Sequence, residues 1–149
     1  MFRLLSICAA LWAGPALACT VDTSEAAGVI TATNAYRATQ GRPALRSDAD
    51  LVRAAQRHAC ELAATQRFSH EGQNGSRVGD RVTRAGYRWR YVAENLAIGQ
   101  SSVGAVMTAW RQSSAHHSNL LTRRGRDIGV AAVPSSQGML WVMVLGAPR

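Results

Sequence analysis

The chain has 149 residues, 47% of them hydrophobic and 17% charged, with a formal net charge of +8 at pH 7. That length allows one domain with an ordinary core, and the sequence shows no repeat, linker or second domain. All 17 basic residues are arginine, and their scatter argues for a solvated basic face and against a nucleic-acid partner.

Residues 1–18 carry one positive charge at Arg3, an apolar run from Leu4 to Ala13, and the small-residue pattern Ala16-Leu17-Ala18. They read as a secretory signal peptide, because the apolar run is too short to span ~30 Å of hydrocarbon. The mature domain is then residues 19–149, its net charge falls from +8 to +7 with Arg3, and its location is secreted or periplasmic. No later segment is apolar for long enough to be transmembrane, and export removes intracellular nucleic acid as a partner. Cys8 leaves with the leader, so Cys19 and Cys60 remain. In an oxidising compartment they read as a disulfide tying the N-terminal arm to the second helix. The rival reading is lipidation of Cys19, which would leave Cys60 unpaired; bacterial lipoproteins usually place Leu three residues before the cysteine, where this chain has Ala16.

Helical spacing of Val29, Ile30, Thr33 and Tyr36 or Arg37 predicts a helix over 25–39, stopped by Gly41-Arg42-Pro43. Ser47 and Asp50 have the offset of a capping box, and a second helix over 48–67 puts Leu51, Ala54, Ala55, His58 and Leu62 on one stripe. His58 therefore reads as a core histidine. The Gly- and Asn-rich stretch 71–76 reads as a loop that leaves His70 at the helix exit; Asn74-Gly75-Ser76 matches a glycosylation pattern, but a turn is the simpler account. A short helix over 77–85 and a turn at Gly86 precede a strand over 92–98 that carries Glu94. Ser101 or Ser102 can cap a helix over 103–113 whose stripe is Val103, Val106 or Met107, and Trp110. Strands over 127–133 and 139–145, joined by a five-residue loop at 134–138, complete an α+β domain in layers.

Three strings hold the chemistry: Phe68-Ser69-His70, Ala93-Glu94-Asn95, and Trp110 through Leu121. Two imidazoles and one carboxylate are a minimum set for holding a divalent cation such as zinc, or for general acid and base work near neutral pH. No Gly-x-Ser-x-Gly elbow is present, and Ser69 and Ser113 beside candidate bases say little about geometry.

The order and flanks of these strings resemble the CAP superfamily, or SCP domain, of cysteine-rich secretory proteins, antigen 5 and pathogenesis-related proteins, in its bacterial branch. The counterparts begin at Asn34 and Arg37, then Leu45, Asp48, Leu51, Ala54, Ala55 and His58. They continue through Phe68 to His70, Gly86-Tyr87, Ala93 to Asn95, Trp110, Ser113, His116, Asn119 to Leu121, Ile128 to Val130, and Trp141 to Gly146. The resemblance implies a three-layer α-β-α sandwich, a cation-holding pair in His70 and His116, Glu94 as the acidic group, and Asn95, Ser113 and Asn119 lining the groove. Ser113 stands where animal and plant members have a second glutamate. His117 replaces the usual arginine, and Leu140-Trp141-Val142-Met143 departs from the aromatic-Thr-Gln pattern. Adjacent residues diverge by ~100° on a helix, so only one of His116 and His117 can face the groove, and register favours His116.

The function expected is a monomeric extracytoplasmic binding module for lipid, sterol-like or cell-envelope ligands, with zinc or another divalent cation in the groove. The reading leans away from an enzyme. One alternative is a metal-assisted hydrolase or peptidase in which His70 and His116 hold zinc and Glu94 activates water. A second is a basic adhesive module for anionic polymers, marked by steep salt dependence.

Overall fold

The computed structural model describes residues 19–149, so the signal-peptide reading of residues 1–18 lies outside the described residues. Helix α1, Thr23–Thr39, starts at Asp22, whose carboxylate accepts from the backbone N–H groups of Ser24 and Glu25 at 3.1 and 3.0 Å. The two-residue strand β1, Arg46–Ser47, follows. Helix α2, Ala49–Thr65, is capped by Asp48, which accepts from Asp50 and Leu51. This corrects the Ser47–Asp50 capping box: Ser47 pairs with Ile128 in the sheet, so its neighbour takes the cap. Helix α3 is Val78–Ala85, ended by Gly86 at φ 105°, a conformation open to glycine.

Strand β2, Trp89–Ile98, begins before the expected residue 92. Helix α4, Val103–Gln112, is capped by Ser102. A separate helix α5, Ser114–Leu120, then starts at Ser113, whereas the pattern predicted one helix ending there. Strands β3, Asp127–Ser135, and β4, Gly138–Pro148, pair from Asp127↔Gly146 to Ser135↔Gly138. The expected five-residue loop is thus reduced to Ser136 and Gln137, with Gly138 at φ 100°. Pro134 enters the strand because β1 reaches only Asp127 and Ile128, leaving that end of β3 on an unpaired edge.

The sheet order is β1-β3-β4-β2, antiparallel except for β1 with β3. Alternate residues of β3 and β4 feed two cores. Ile128, Val130, Ala132, Trp141, Met143 and Leu145 pack with Val29, Val106, Trp110 and Leu120 of α1, α4 and α5. On the other face Ala131, Val133, Leu140, Val142 and Val144 pack with Leu51, Ala55, Leu62 and Val82 of α2 and α3. This is the expected three-layer α-β-α sandwich, and with both faces covered the central strands read as near-continuous apolar runs. Trp110 and Trp141 are fully buried, each removing ~150–250 Å² from water. Gly129 sets the spacing of α2, since a Cβ there would lie 2.2 Å from the Leu51 carbonyl carbon.

The Cys19–Cys60 disulfide forms, with Cα atoms 5.6 Å apart, and engages the sulfur that lipidation of Cys19 would require. It ties the arm to α2, and the Asp22 N–H donates to the Ala132 carbonyl beside it at 2.8 Å. Closing a loop across 41 positions contributes about 3–4 kcal/mol in the chain-entropy view.

Candidate functional site

Glu94 pairs with Val144 midway along β2, the edge strand beside β4, and its carboxylate reaches His70 in the loop after α2. The side chain is 3% exposed, and both oxygens are occupied. Oε1 accepts from His70 Nδ1 at 2.9 Å, and Oε2 accepts from Arg81 at 2.7 Å. A buried carboxylate needs such compensation, because losing water costs several kcal/mol per ion.

Arg81 is the functional residue that sequence reasoning missed. It was counted with a solvated basic group, yet it is buried, and its guanidinium also donates to the carbonyls of His70 and Ser76 at 3.0 and 2.7 Å. A signal was present: Val78, Arg81, Val82 and Ala85 share the inward stripe of α3, so this arginine stands on an apolar face and needs a buried partner. Arg37 is likewise buried, binding the carbonyls of Pro43, Leu120 and Thr122, while Asn34 of the same motif brackets Leu45. Both are fastenings between elements.

His70 is mostly exposed, with Nδ1 held by Glu94. A carboxylate accepts only, so Nδ1 carries the proton, and in the neutral ring Nε2 is left with the lone pair. The hydrogen bond to Glu94 pushes the His70 pKa up, against a smaller opposing effect of burial. His70, Glu94, Glu71, Arg77 and Val78 line a cavity of about 350 Å³.

His116 lies on α5. Burial first, and then the charge of His70, push its pKa down, so the two imidazoles sense each other. It does not line that cavity, and among the described residues no three His, Cys, Asp or Glu side chains converge as a metal-binding group. The neighbouring His117 turns away: its Nε2 hydrogen-bonds the Tyr36 hydroxyl of α1 at 2.7 Å, and Arg111 stacks over the same ring. His117 is thus committed to α1 rather than to the groove.

Asn95, Ser113 and Asn119 serve the frame around these groups. Asn95 is fully buried and donates to the His116 carbonyl at 3.1 Å; Asn119 donates to Asn95 Oδ1 at 2.9 Å and to the Glu94 carbonyl at 3.3 Å. Ser113 Oγ accepts from the His116 N–H at 3.5 Å, at the start of α5. They lock α5 onto β2 and so fix His116 relative to Glu94.

A second concave region shares no residue with the first. Cys19, Cys60, Ala63, Ala64, Val133 and Pro134 wall a mainly apolar cavity of about 780 Å³. A small pocket beside it, sharing Ala63, Ser135 and Ser136, is lined by Phe68, which is 48% exposed and the exposed large hydrophobic among the described residues. Phe68-Ser69-His70 therefore joins an apolar surface to the polar groove.

The profile of the cysteine-rich secretory protein (CAP) family matches residues 30–145. The uncharacterised protein YkwD of Bacillus subtilis is 30% identical over 113 residues, which are 76% of this chain but only 43% of that protein. Among solved structures, an extracellular protein with an SCP domain from Bacillus anthracis superposes with a TM-score of 0.78 at 22% identity, over 86% of this chain and 41% of that one. An outer surface protein of Borrelia burgdorferi superposes with a TM-score of 0.81 at 18% identity, over 88% of this chain and 99% of that one.

Proposed function

Because this chain belongs to the cysteine-rich secretory protein (CAP) family, we propose that it is an extracytoplasmic binding module rather than a hydrolase. Its groove takes a divalent cation such as zinc through His70 Nε2 and His116, beside a surface for lipid, sterol-like or cell-envelope ligands. The observation that carries this reading is Glu94: with one oxygen on His70, the other on Arg81 and the side chain only 3% exposed, it is placed to orient a ligand imidazole rather than to activate water. Ser113, which stands where animal and plant members have a second glutamate, caps α5. A bound cation would supply positive charge for an anionic head group, while exposed Phe68 and the adjoining apolar cavity offer surface to an aliphatic part. The extracellular and outer-surface descriptions of the Bacillus anthracis and Borrelia proteins agree with an extracytoplasmic site of action. Among the described residues no helix is long and apolar enough to cross a membrane.

The test is calorimetric zinc titration of the mature chain beside a His70→Ala, His116→Ala double variant, with fluorescent fatty acid binding measured on Phe68→Ser. The double variant should lose one zinc per chain, and Phe68→Ser should weaken the fatty acid by ~10-fold or more, the loss of about one aromatic contact. An unchanged zinc count, or fatty acid affinity indifferent to Phe68, overturns the reading.

A further inference from the structure

A cavity of about 100 Å³ lies where α2, α3 and the loop before α3 come together, and the small side chain of Ala54 leaves room for it. Arg57 of α2 and Arg84 of α3 both line it. Among the described residues neither guanidinium has an ion-pair or hydrogen-bond partner, whereas the arginines next to them do. Arg53, one turn before Arg57, holds Asp50 and the Ala85 carbonyl; Arg81, one turn before Arg84, holds Glu94 and the carbonyls of His70 and Ser76. Two guanidiniums in the wall of one small cavity repel each other unless they share an anion.

Asn74 adds a neutral donor to the same wall. Its Oδ1 accepts the Ser76 N–H at 3.1 Å, which leaves the Nδ2 hydrogens for another acceptor. Glu61 is the acid of this wall: Oε1 accepts the Gln73 N–H, and Oε2 stands 3.5 Å from His58 Nδ1. A guest must therefore offer several acceptor oxygens to the arginines and the amide, and where it meets Glu61 it must carry a proton, because two anionic oxygens in contact repel. A carboxylate has only two oxygens, and sulfate has no proton to give. A phosphate monoester has three free oxygens and a second pKa of ~6, so near neutral pH it keeps a proton at little cost.

We propose that Arg57, Arg84 and Asn74 as donors, with Glu61 as the acceptor, form a binding site for a singly protonated phosphate, either the free ion or the monoester head group of a lipid. Arginine suits the role because its fork gives two parallel hydrogen bonds to phosphate oxygens, which a point charge cannot do. One bound phosphate would tie α2 to α3 and to the loop before α3. The cavity shares no lining residue with the one at His70 and Glu94, so the phosphate site does not depend on a cation in the groove.

Calorimetric titration of the mature chain with inorganic phosphate and with sulfate, at constant ionic strength, tests this. Phosphate should bind ~10-fold or more tightly than sulfate, and Glu61→Gln should close that gap by admitting sulfate. The Arg57→Gln, Arg84→Gln double variant should weaken phosphate by ~100-fold or more, since each hydrogen bond between charged groups carries about tenfold or more. Far-ultraviolet circular dichroism checks that each variant is folded. Vesicle cosedimentation separates the sources: a preference for phosphatidate over phosphatidylglycerol that needs both arginines assigns a lipid head group, and tight inorganic phosphate without that preference assigns the free ion. Equal affinity of the wild type for phosphate and sulfate, or phosphate binding indifferent to the two arginines, overturns the site and returns Arg57 and Arg84 to the solvated basic face.

Discussion

Two histidine–glutamate pairs lie near each other in this domain, and they are built in opposite ways. In the His70–Glu94 pair the carboxylate is buried and the imidazole exposed; the contact is 2.9 Å and Arg81 backs the carboxylate at 2.7 Å. In the His58–Glu61 pair the imidazole is buried and the carboxylate partly exposed, and the gap is 3.5 Å. The first is a satisfied network in which one carboxylate accepts from an imidazole and a guanidinium. The second leaves a buried ring nitrogen without a hydrogen-bond partner opposite a carboxylate oxygen. Whichever member of such a pair is buried therefore decides the charge state: a buried carboxylate recruits cations, and a buried imidazole sheds its proton.

The largest expected effect breaks the first pair from behind. Arg81→Met should destabilise by about 3–5 kcal/mol in urea unfolding, because Glu94 stays buried with one oxygen unpaired, and Arg81→Met with Glu94→Met should recover most of the loss. A single-variant cost below ~1 kcal/mol would mean that water reaches Glu94 and that the pair resembles a surface contact.

The next expectation sharpens the contrast through pH. His70 is shifted up and His58 down from the ordinary histidine value of 6.5, the former by its bond to Glu94 and the latter by burial. A raised folded value means that His70 contributes stability that is fully present below ~6.5 and is lost as pH rises through its folded value. A depressed folded value means that His58 contributes stability present above ~6.5 and lost as pH falls below it, with His116 acting in the same sense. Proton NMR titration of the imidazoles should show His70 titrating above His58 and His116, and coincident midpoints would erase the distinction between the pairs.

The smallest effect is at His117. His117→Ala removes the hydrogen bond to Tyr36, worth about 0.5–1.5 kcal/mol, and should leave zinc binding by the groove unchanged, whereas His116→Ala should abolish it. Equal zinc losses from both substitutions would place His117 in the groove as well.

Much of the frame was legible. The stripes over residues 25–39 and 48–67 and the apolar runs over 127–133 and 139–145 are periodicities of the covalent chain, and they became α1, α2, β3 and β4. The break between α4 and α5 was not, because Ser113 ends one helix and caps the next through a single hydroxyl that the apolar pattern does not register. Strand β1 was invisible for another reason: two residues have no period, and Arg46 and Ser47 are strand only because Asp127 and Ile128 lie alongside. In the site, His70 and Glu94 were legible through the family resemblance of their flanks, and their contact is now seen directly. Arg81 was read as surface because an arginine in sequence looks the same whether water or a carboxylate solvates it.

By itself, then, the chain determined its layers, the cap of α4 at Ser102 and the pairing of Cys19 with Cys60, since each follows from local periodicity, from residue chemistry or from a count of cysteines. Only the tertiary structure decided that Arg81 neutralises Glu94, that Asn95 and Asn119 brace α5, and that His58 Nδ1 is buried facing Glu61 without a hydrogen-bond partner. Those facts depend on separations of a few ångströms between groups on different elements, or on which side of one ring the packing leaves without a donor, and neither quantity is carried by the order of residues.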